Sequence, residues 1–206
     1  MCFIYETATI ALGDWILEKT IVYFEKGGVE NTISTLEAAR KRAKELGIID
    51  VVVASTHGGT AIKAAETFRD MKVNLVCVTI CEGYKEDGWT MTKAEKKRVS
   101  DKEVKILTSI HALGDGVSNA FTEKFGSKSL EEVVQQTLYR FCQGMKVCVE
   151  IVLMAADAGL IAMDKEVMAI AGTGKGCDTC IVVKPSYARK FLELEIREIV
   201  AKPRNP

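Results

Sequence analysis

The sequence predicts an α/β domain with a mainly parallel sheet and helices on both faces. Short runs rich in β-branched residues alternate along the chain with amphipathic segments of helical period. The run at 50–54 is apolar after its first residue, which is typical of a strand buried on both faces. No proline occurs before Pro185, and no linker rich in Ser, Pro or Gly divides the chain. We therefore expect one domain over residues 1–206.

The first half of the chain contains three predicted strands and two helices. The strand at 21–24 ends at a glycine pair, and a helix follows from Asn31 and Thr32 to Gly47. After the strand at 50–54, a helix is expected from Thr60 to about residue 71. The strand at 75–80 comes next.

The second half begins with a capping box of Thr92 and Glu95, which opens a charged helix to about residue 102. A fourth strand is expected at 104–108. Ser129 and Glu132 form a second capping box and open what the periodicity predicts as the longest helix, closing near Gly159. Finally, the runs 167–171 and 180–183 flank a glycine-rich turn, as in a hairpin.

The composition limits the class of function. The chain has 28 basic and 28 acidic residues, and its formal net charge is zero. Nucleic-acid polymers are not expected as partners, because binding them requires excess positive charge. A single small anion needs only local donors.

The cellular compartment is indicated by the cysteines and by the N-terminus. Seven cysteines, an odd number in a chain of this size, favour a reducing cytoplasm. The segment 1–6 carries an acid where a signal peptide needs basic residues, and no apolar run approaches the ~20 residues of a membrane span. We expect a cytoplasmic protein that does not enter a membrane.

Ligands of such folds bind where the parallel strands end, and one loop there has the composition of a phosphate site. A phosphate at a helix N-terminus gains from free N–H groups and the helix dipole, and glycines allow close approach. An ordinary turn with Thr60 as N-cap is the alternative. The predicted phosphate-binding residues are Ser55, Thr56, His57, Gly58, Gly59 and Thr60.

A second glycine-rich loop lies inside the predicted hairpin. It adds one mobile positive charge at Lys175, although a hairpin connection alone would explain its glycines. The ligand-binding residues predicted there are Gly172, Thr173, Gly174 and Lys175. The neighbouring Cys177 and Cys180 form a CxxC pair that leads into a strand and has no second pair of ligands, so we expect no metal.

Three further loops are candidates for polar or stacking contacts. A plain turn, packing of the aromatic rings on the core, and capping of the next helix are the respective alternatives. The residues are Glu25, Lys26, Gly27 and Asn31; Tyr84 and Trp89; and Gly114, Asp115, Gly116 and Asn119. His111 follows the fourth strand and is either structural or functional.

The order of these segments resembles the C-terminal domain of pyruvate kinase. The resemblance is carried by residues 51–61, with their Ser/Thr-Gly loop, by the following helix and the strand 75–79, and by residues 159–161 and 167–174. It covers most of residues 20–184 in order. The chain looks closest to stand-alone archaeal-type proteins built from this domain alone.

The resemblance implies a three-layer α/β/α sandwich with a five-stranded sheet of order 3-2-1-4-5, whose last strand is antiparallel. It also implies that Ser55, Thr56, Gly58, Gly59 and Thr60 hold a phosphate, with the loop around Gly174 and Lys175 as the second wall. Pyruvate kinase catalysis resides in a separate barrel domain, so no such activity is expected.

The leading functional hypothesis is the binding of a phosphorylated small molecule. A mononucleotide such as FMN fits the pairing of one strong phosphate loop with the aromatic residues Tyr84 and Trp89. A small flavin-dependent or phosphate-ester-handling enzyme is one alternative, and a regulatory or structural subunit without a ligand is another. We also expect a homo-oligomer.

Overall fold

A computed structural model describes residues 17–205 of the chain. The expectation drawn from residues 1–6, together with Cys2, lies outside this range.

The described residues form one seven-stranded sheet in the order β1-β7-β6-β5-β2-β3-β4. Strand β6 runs antiparallel to its two neighbours, and every other pairing is parallel. The strands are β1 (Val22–Lys26), β2 (Asp50–Ala54), β3 (Asn74–Thr79), β4 (Lys105–Thr108), β5 (Val167–Ala171), β6 (Thr179–Lys184) and β7 (Glu195–Asn205).

The expected five-stranded order is confirmed within this larger sheet. Counted from β2, the strands β4-β3-β2-β5-β6 have the order 3-2-1-4-5, and the last of them is antiparallel. Five strands are too few, however, because β7 and β1 extend the sheet beyond β6. The sequence pattern did not reveal β7, because Pro203 and its many charges argue against a strand. In the structure, Pro203 lies opposite Phe24 near the end of the β1–β7 pairing.

Helices cover both faces of the sheet, which confirms the three-layer sandwich. On one face, Leu36, Phe68 and Val99 belong to a single buried apolar cluster. On the other, Met145 and Leu153 belong to a second cluster. The helices are α1 (Thr32–Leu46), α2 (Gly59–Thr67), α3 (Lys93–Ser100), α4 (Val117–Phe125), α5 (Leu130–Leu138) and α6 (Gln143–Asp157).

The predicted long helix from Ser129 to Gly159 is two helices, and that prediction was wrong. Cys142 is fully extended, with φ 175°, and separates α5 from α6. Helix α6 begins directly over β6, where a Cβ on Gly144 would stand 2.2 Å from Oγ1 of Thr179. Almost all of α6 is buried, whereas α5 leaves Leu130 83% exposed. The apolar stripe continued through both helices because parts of both pack on the same core, which periodicity alone could not separate.

The two predicted capping boxes have different outcomes. The Thr92–Glu95 box is complete. At Ser129, the hydroxyl accepts the N–H of Glu132, but the Glu132 carboxylate pairs with Lys128 at 2.7 Å instead of returning to the cap. One half of the second box is therefore present.

Candidate functional site

The predicted site loops follow the carboxyl ends of β1, β2, β3, β4 and β5. Because these strands point in the same direction, their order in the sheet sets the order of the loops along one edge. The loop after β2 lies between the loops after β5 and β3. The chain adds β3 and β4 on one side of β2 and then returns to add β5 on the other side of β2. The order in which strands are added to the sheet therefore changes direction between β2 and β5. The register Val53↔Ile170 brings Ser55 beside Gly172 at this point. Such a switch point forms a crevice between loops.

Loop 55–60 turns sharply from β2 into α2. Oγ of Ser55 accepts the N–H of Thr60 at 3.1 Å, and Ser55 is buried. Gly58 holds the N-cap position with φ 80°, a left-handed conformation that glycine adopts without strain. The alternative of Thr60 as the N-cap is therefore wrong. The Ser55 hydroxyl is thus used in a hydrogen bond within the turn, whereas His57 and Gly59 are exposed to solvent.

The start of α2 is open to an incoming group. Among residues 17–205, the N–H of Gly59 has no hydrogen-bond acceptor, as expected for the first residue of a helix. A Cβ placed on Gly59 would meet nothing within 4 Å. The free N–H and the positive end of the helix dipole make this a place where an anion can be held.

Asp178 joins the two glycine loops. Its Oδ2 accepts the N–H groups of Gly28 and Thr173, each at 3.0 Å, and its Oδ1 accepts the hydroxyl of Thr179 at 2.7 Å. The residue is completely buried. Loops 27–31 and 172–178 are thus fixed to one another across the ends of β1 and β5.

The backbones of these loops approach so closely that side chains would not fit. A Cβ on Gly27 would stand 2.7 Å from Oγ1 of Thr173, and one on Gly176 would stand 2.2 Å from Oγ1 of Thr32. Gly27, Gly172 and Gly174 were among the predicted site residues, whereas Asp178 was not. An acidic residue between a glycine-rich loop and a β-branched strand was the sequence signal that could have revealed it.

Two lysines lie on or near loop 172–178. Lys175 is exposed at the tip of the loop. Burial raises the pKa of Cys177 to about 12, the charge of Asp178 adds to this rise, and the positive charge of Lys63 on α2 opposes it. Lys63 therefore stands near this loop, and the sequence analysis did not select it.

Tyr84 and Trp89 stack on each other in the loop after β3. Their ring centroids are 5.4 Å apart and their planes differ by 14°. The Tyr84 hydroxyl donates to Oδ1 of Asp115 at 2.6 Å, while Trp89 is 53% exposed. The hydrogen bond of Tyr84 thus holds the aromatic pair in place, while Trp89 is exposed to solvent. This differs from simple packing on the core.

The carboxylate of Asp115 also holds His111, through Oδ2 and Nδ1. Burial by itself would lower the pKa of His111, but the hydrogen bond to Asp115 and the charges of Glu150 and Asp115 outweigh it and raise that pKa above 6.5. The same hydrogen bond lowers the pKa of Asp115 against the effect of burial, and the bond from Tyr84 adds to the lowering.

This pair predicts how stability depends on pH. A histidine with a raised pKa stabilises the fold below its unfolded pKa of 6.5 and loses that contribution as the pH rises through the folded value. An aspartate with a lowered pKa stabilises the fold above 3.8 and loses its contribution as the pH falls. Urea midpoints between pH 3 and 9 should therefore decline on both sides of an acidic optimum. His111→Asn should remove the alkaline decline, and an unchanged alkaline decline in that variant would contradict the assignment.

His57 also faces a carboxylate, but more loosely. Its Nδ1 lies 3.4 Å from Oε1 of Glu95, and the imidazole is about half exposed. The Glu95 carboxylate is already engaged by the N–H and hydroxyl of Thr92, each at 2.8 Å. Glu95 is distant in sequence, and only the tertiary structure brings it to His57.

A buried ion pair on α6 is hydrogen-bonded to the loop after β4. Lys146 and Glu150 of α6 are 6% and 3% exposed, and their charged atoms lie 2.7 Å apart. Oε1 of Glu150 accepts the N–H of Leu113 at 3.0 Å. The sequence analysis placed these residues on a helix without assigning them a role.

The remaining predicted residues make local contacts. Asn31 donates to the carbonyl of Lys26 at 2.8 Å, and Asn119 donates to Glu123 at 3.2 Å. Glu25 is exposed near the end of β1. Gly116 is the N-cap of α4, and Gly114 lies against the side chain of Gln135. No contact in residues 17–205 draws these side chains into the crevice between β2 and β5.

A further cavity lies away from these loops. A groove of about 640 Å³ runs beside β1, β7 and the second half of α1, and its lining includes Arg42 and Glu198. These two side chains form a pair with an N–O distance of 2.6 Å. The charges of the groove are thus partly neutralised within it. The crevice at the strand ends carries the N–H of Gly59, which has no acceptor among residues 17–205, and the exposed Lys175 lies on the loop beside it. We therefore favour this crevice as the site.

Cys177 and Cys180 are buried free thiols. Within residues 17–205, no group of three His, Cys, Asp or Glu side chains is arranged to hold a metal ion. No helix in that range has the length and apolar character needed to cross a membrane.

The fold and the loops at its edge agree with a known family. The family model described as "Pyruvate kinase, alpha/beta domain" matches residues 33–183, which is well over half of the chain. The match begins in α1 and ends in β6, so it includes the five strands of expected order and the loops at 55–60 and 172–178. The chain belongs to the pyruvate kinase alpha/beta domain family.

Proposed function

We propose that this chain binds a phosphorylated small molecule in the crevice between loops 55–60 and 172–178. The phosphate would lie against the first turn of α2. The observation that carries the proposal is the open N-terminus of α2 at the switch point of the sheet, with a free N–H on Gly59 and no side chain in front of it.

Positive charge on both sides of the crevice supports the same proposal. Lys175 is exposed on the glycine loop, and Lys63 lies on α2 near that loop. The formal net charge of the chain is zero. Such a site therefore attracts an anion through local donors, and a small ligand suits it better than a polyanion.

A mononucleotide such as FMN is the proposed occupant. Trp89 is 53% exposed beside Tyr84, so its outer face can take a planar ring as a third layer of the stack. The loop carrying these rings follows β3, the strand next to β2. A ligand with one phosphate and one planar ring would therefore contact neighbouring loops of the same edge.

Gly59→Val tests the phosphate site without attacking the fold. The Cβ of the added side chain meets no protein atom within 4 Å, but the side chain stands where the anion would approach. We expect the affinity for FMN to fall at least tenfold, a loss of about 1.4 kcal/mol, while the urea midpoint stays near that of the wild type. Flavin fluorescence titration measures the affinity.

Thr67→Val is the matched control, because it places the same side chain at the far end of α2, where the hydroxyl bonds only to the carbonyl of Lys63. Its affinity for FMN should match that of the wild type. Equal affinity in Gly59→Val and the wild type would contradict the phosphate site. Ribose 5-phosphate, which lacks the planar ring, should bind more weakly than FMN if Trp89 takes part.

The expectations of a homo-oligomer and of a cytoplasmic location stay predictions. Exposed apolar side chains on α4 and α5, including Phe121 at 58% and Leu130 at 83%, support the first of them. A regulatory or structural subunit without a ligand stays the alternative; because α6 is almost entirely covered by its own chain, such a subunit would assemble through the exposed faces of α4 and α5.

A further inference from the structure

Helix α4 presents an apolar stripe that the rest of the described chain leaves uncovered. Val117, Phe121 and Phe125 recur at intervals of four residues and therefore lie on one side of the helix. Their side chains are between 58% and 75% exposed, and within residues 17–205 no residue of α4 is buried. An amphipathic helix normally packs its apolar side against another element. Among the described residues, this stripe has no such partner.

Neighbouring side chains extend the apolar stripe. Ile110 lies against the N-cap of α4 and is exposed. Thr122 on α4 stands next to Glu132 on α5, so the two helices lie side by side. Helix α5 exposes Leu130 and Val133. We call this set of six exposed apolar side chains the α4–α5 surface: Ile110, Val117, Phe121, Phe125, Leu130 and Val133.

The size of the α4–α5 surface suits association with another protein chain. Its six side chains are between 56% and 83% exposed. Together they expose roughly 700 Å², if a large apolar residue contributes about 150–200 Å² when fully exposed. A standard interface buries about 800 Å² on each partner, whereas monomeric proteins rarely expose apolar patches larger than a few hundred Å². The area therefore indicates a protein interface.

The charges of the segment 117–141 favour a second copy of this chain over a membrane surface. A helix that lies on an anionic membrane carries an excess of Lys and Arg on its polar side. Here three basic and three acidic residues balance each other, so the segment neither attracts an anionic surface nor repels a copy of itself. These residues are Lys124, Lys128, Arg140, Glu123, Glu131 and Glu132.

We propose that two copies of this chain associate through the α4–α5 surface, with their α4 helices antiparallel about a two-fold axis beside Phe121. In such a pair each Phe121 packs on the partner's Phe121, and Val117 lies beside the partner's Phe125, because Phe121 is the midpoint of the stripe. The two Lys124 side chains stand about 9 Å apart along the helices, so like charges do not face each other. The proposal specifies the interface of the homo-oligomer expected above and does not depend on the ligand.

Phe121→Glu tests the two-fold axis, because it places two negative charges opposite each other. We expect native mass spectrometry of the wild-type chain to show a dimer of twice 22.6 kDa. Phe121→Glu should raise the dissociation constant at least about a hundredfold. An equimolar mixture of Phe121→Glu and Phe121→Lys should recover the dimer, since opposite charges then meet. Ile33→Glu is the matched control, because Ile33 is similarly exposed on α1, and its dimer should persist.

The outcomes for the interface are separate from those for the ligand site. A wild type that is monomeric at micromolar concentrations overturns the proposal, whether or not it floats with anionic vesicles. A dimer that survives Phe121→Glu, or that Ile33→Glu dissociates, overturns this interface and leaves the expectation of a homo-oligomer standing. Failure of the wild type to bind FMN overturns the proposed function alone.

A cysteine variant decides the question if the charged variants do not fold. In Phe121→Cys, the added thiols of two copies meet at the axis, so a short bismaleimide should link the copies. The six cysteines of residues 17–205 are buried, so the wild type provides the background. A yield of linked dimer no higher than that background overturns the proposal.

Discussion

Asp178→Ala should lower the free energy of unfolding by about 3 kcal/mol, because it leaves two backbone N–H groups without an acceptor. These are the N–H groups of Gly28 and Thr173, which now share Oδ2 at 3.0 Å. The substitution also removes the acceptor of the Thr179 hydroxyl. Urea unfolding followed by circular dichroism measures the loss.

The same substitution should weaken binding at the crevice. Loops 27–31 and 172–178 are held together through this carboxylate, so its loss frees the wall that carries Lys175. We expect the affinity for FMN to fall about tenfold, since ordering a loop on binding costs free energy.

Asp178→Asn is the matched control. Its amide oxygen can still accept both N–H groups, and its NH₂ can donate to the Thr179 hydroxyl, which then accepts instead of donating. We expect a loss near 1 kcal/mol, the difference between a charged and a neutral acceptor. Equal stabilities of the alanine and asparagine variants would show that these hydrogen bonds do not hold the loops.

Gly58→Ala should also cost about 3 kcal/mol, for two separable reasons. The residue has φ 80°, and the left-handed region costs an alanine about 1–2 kcal/mol. Its Cβ would stand 2.3 Å from Cγ2 of Val99, a fully buried and β-branched side chain on α3. Relieving that overlap adds about 1–3 kcal/mol. Urea midpoints provide the measurement.

Gly47→Ala measures the cost of the left-handed backbone conformation alone. Gly47 has φ 67° at the end of α1, and a Cβ there would meet nothing within 4 Å. It should lose only about 1–2 kcal/mol. Adding Val99→Ala to Gly58→Ala should cost less than the sum of the two single changes, because the smaller side chain makes room. Strict additivity would argue against the contact between Gly58 and Val99.

The positions of the helices and strands were largely predictable, because local patterns specify them. The apolar run at 50–54 gave a buried strand, and Thr92 with Glu95 gave a complete capping box. The predictions were wrong or incomplete where one sequence pattern is compatible with two different structures. A continuous apolar stripe hid the break at Cys142, and Pro203 with several charges concealed β7.

The candidate site was predictable in its loops but not in its contacts. Glycines and hydroxyls pointed to residues 55–60, because few other residues suit a tight strand-to-helix turn. The residues that fix the site are far apart in sequence. Asp178 bonds to Gly28, Glu95 faces His57, and Tyr84 reaches Asp115.

By itself, the sequence determined the α/β class, the loops at the strand ends and the neutral overall charge, since periodicity, turn residues and composition are local properties. Only the tertiary structure decided that Asp178 joins two glycine loops, that Glu95 faces His57, and that Asp115 holds both His111 and Tyr84. These contacts arise from the order and register of the strands. That order results from how the helices bury their apolar faces on the two sides of the sheet.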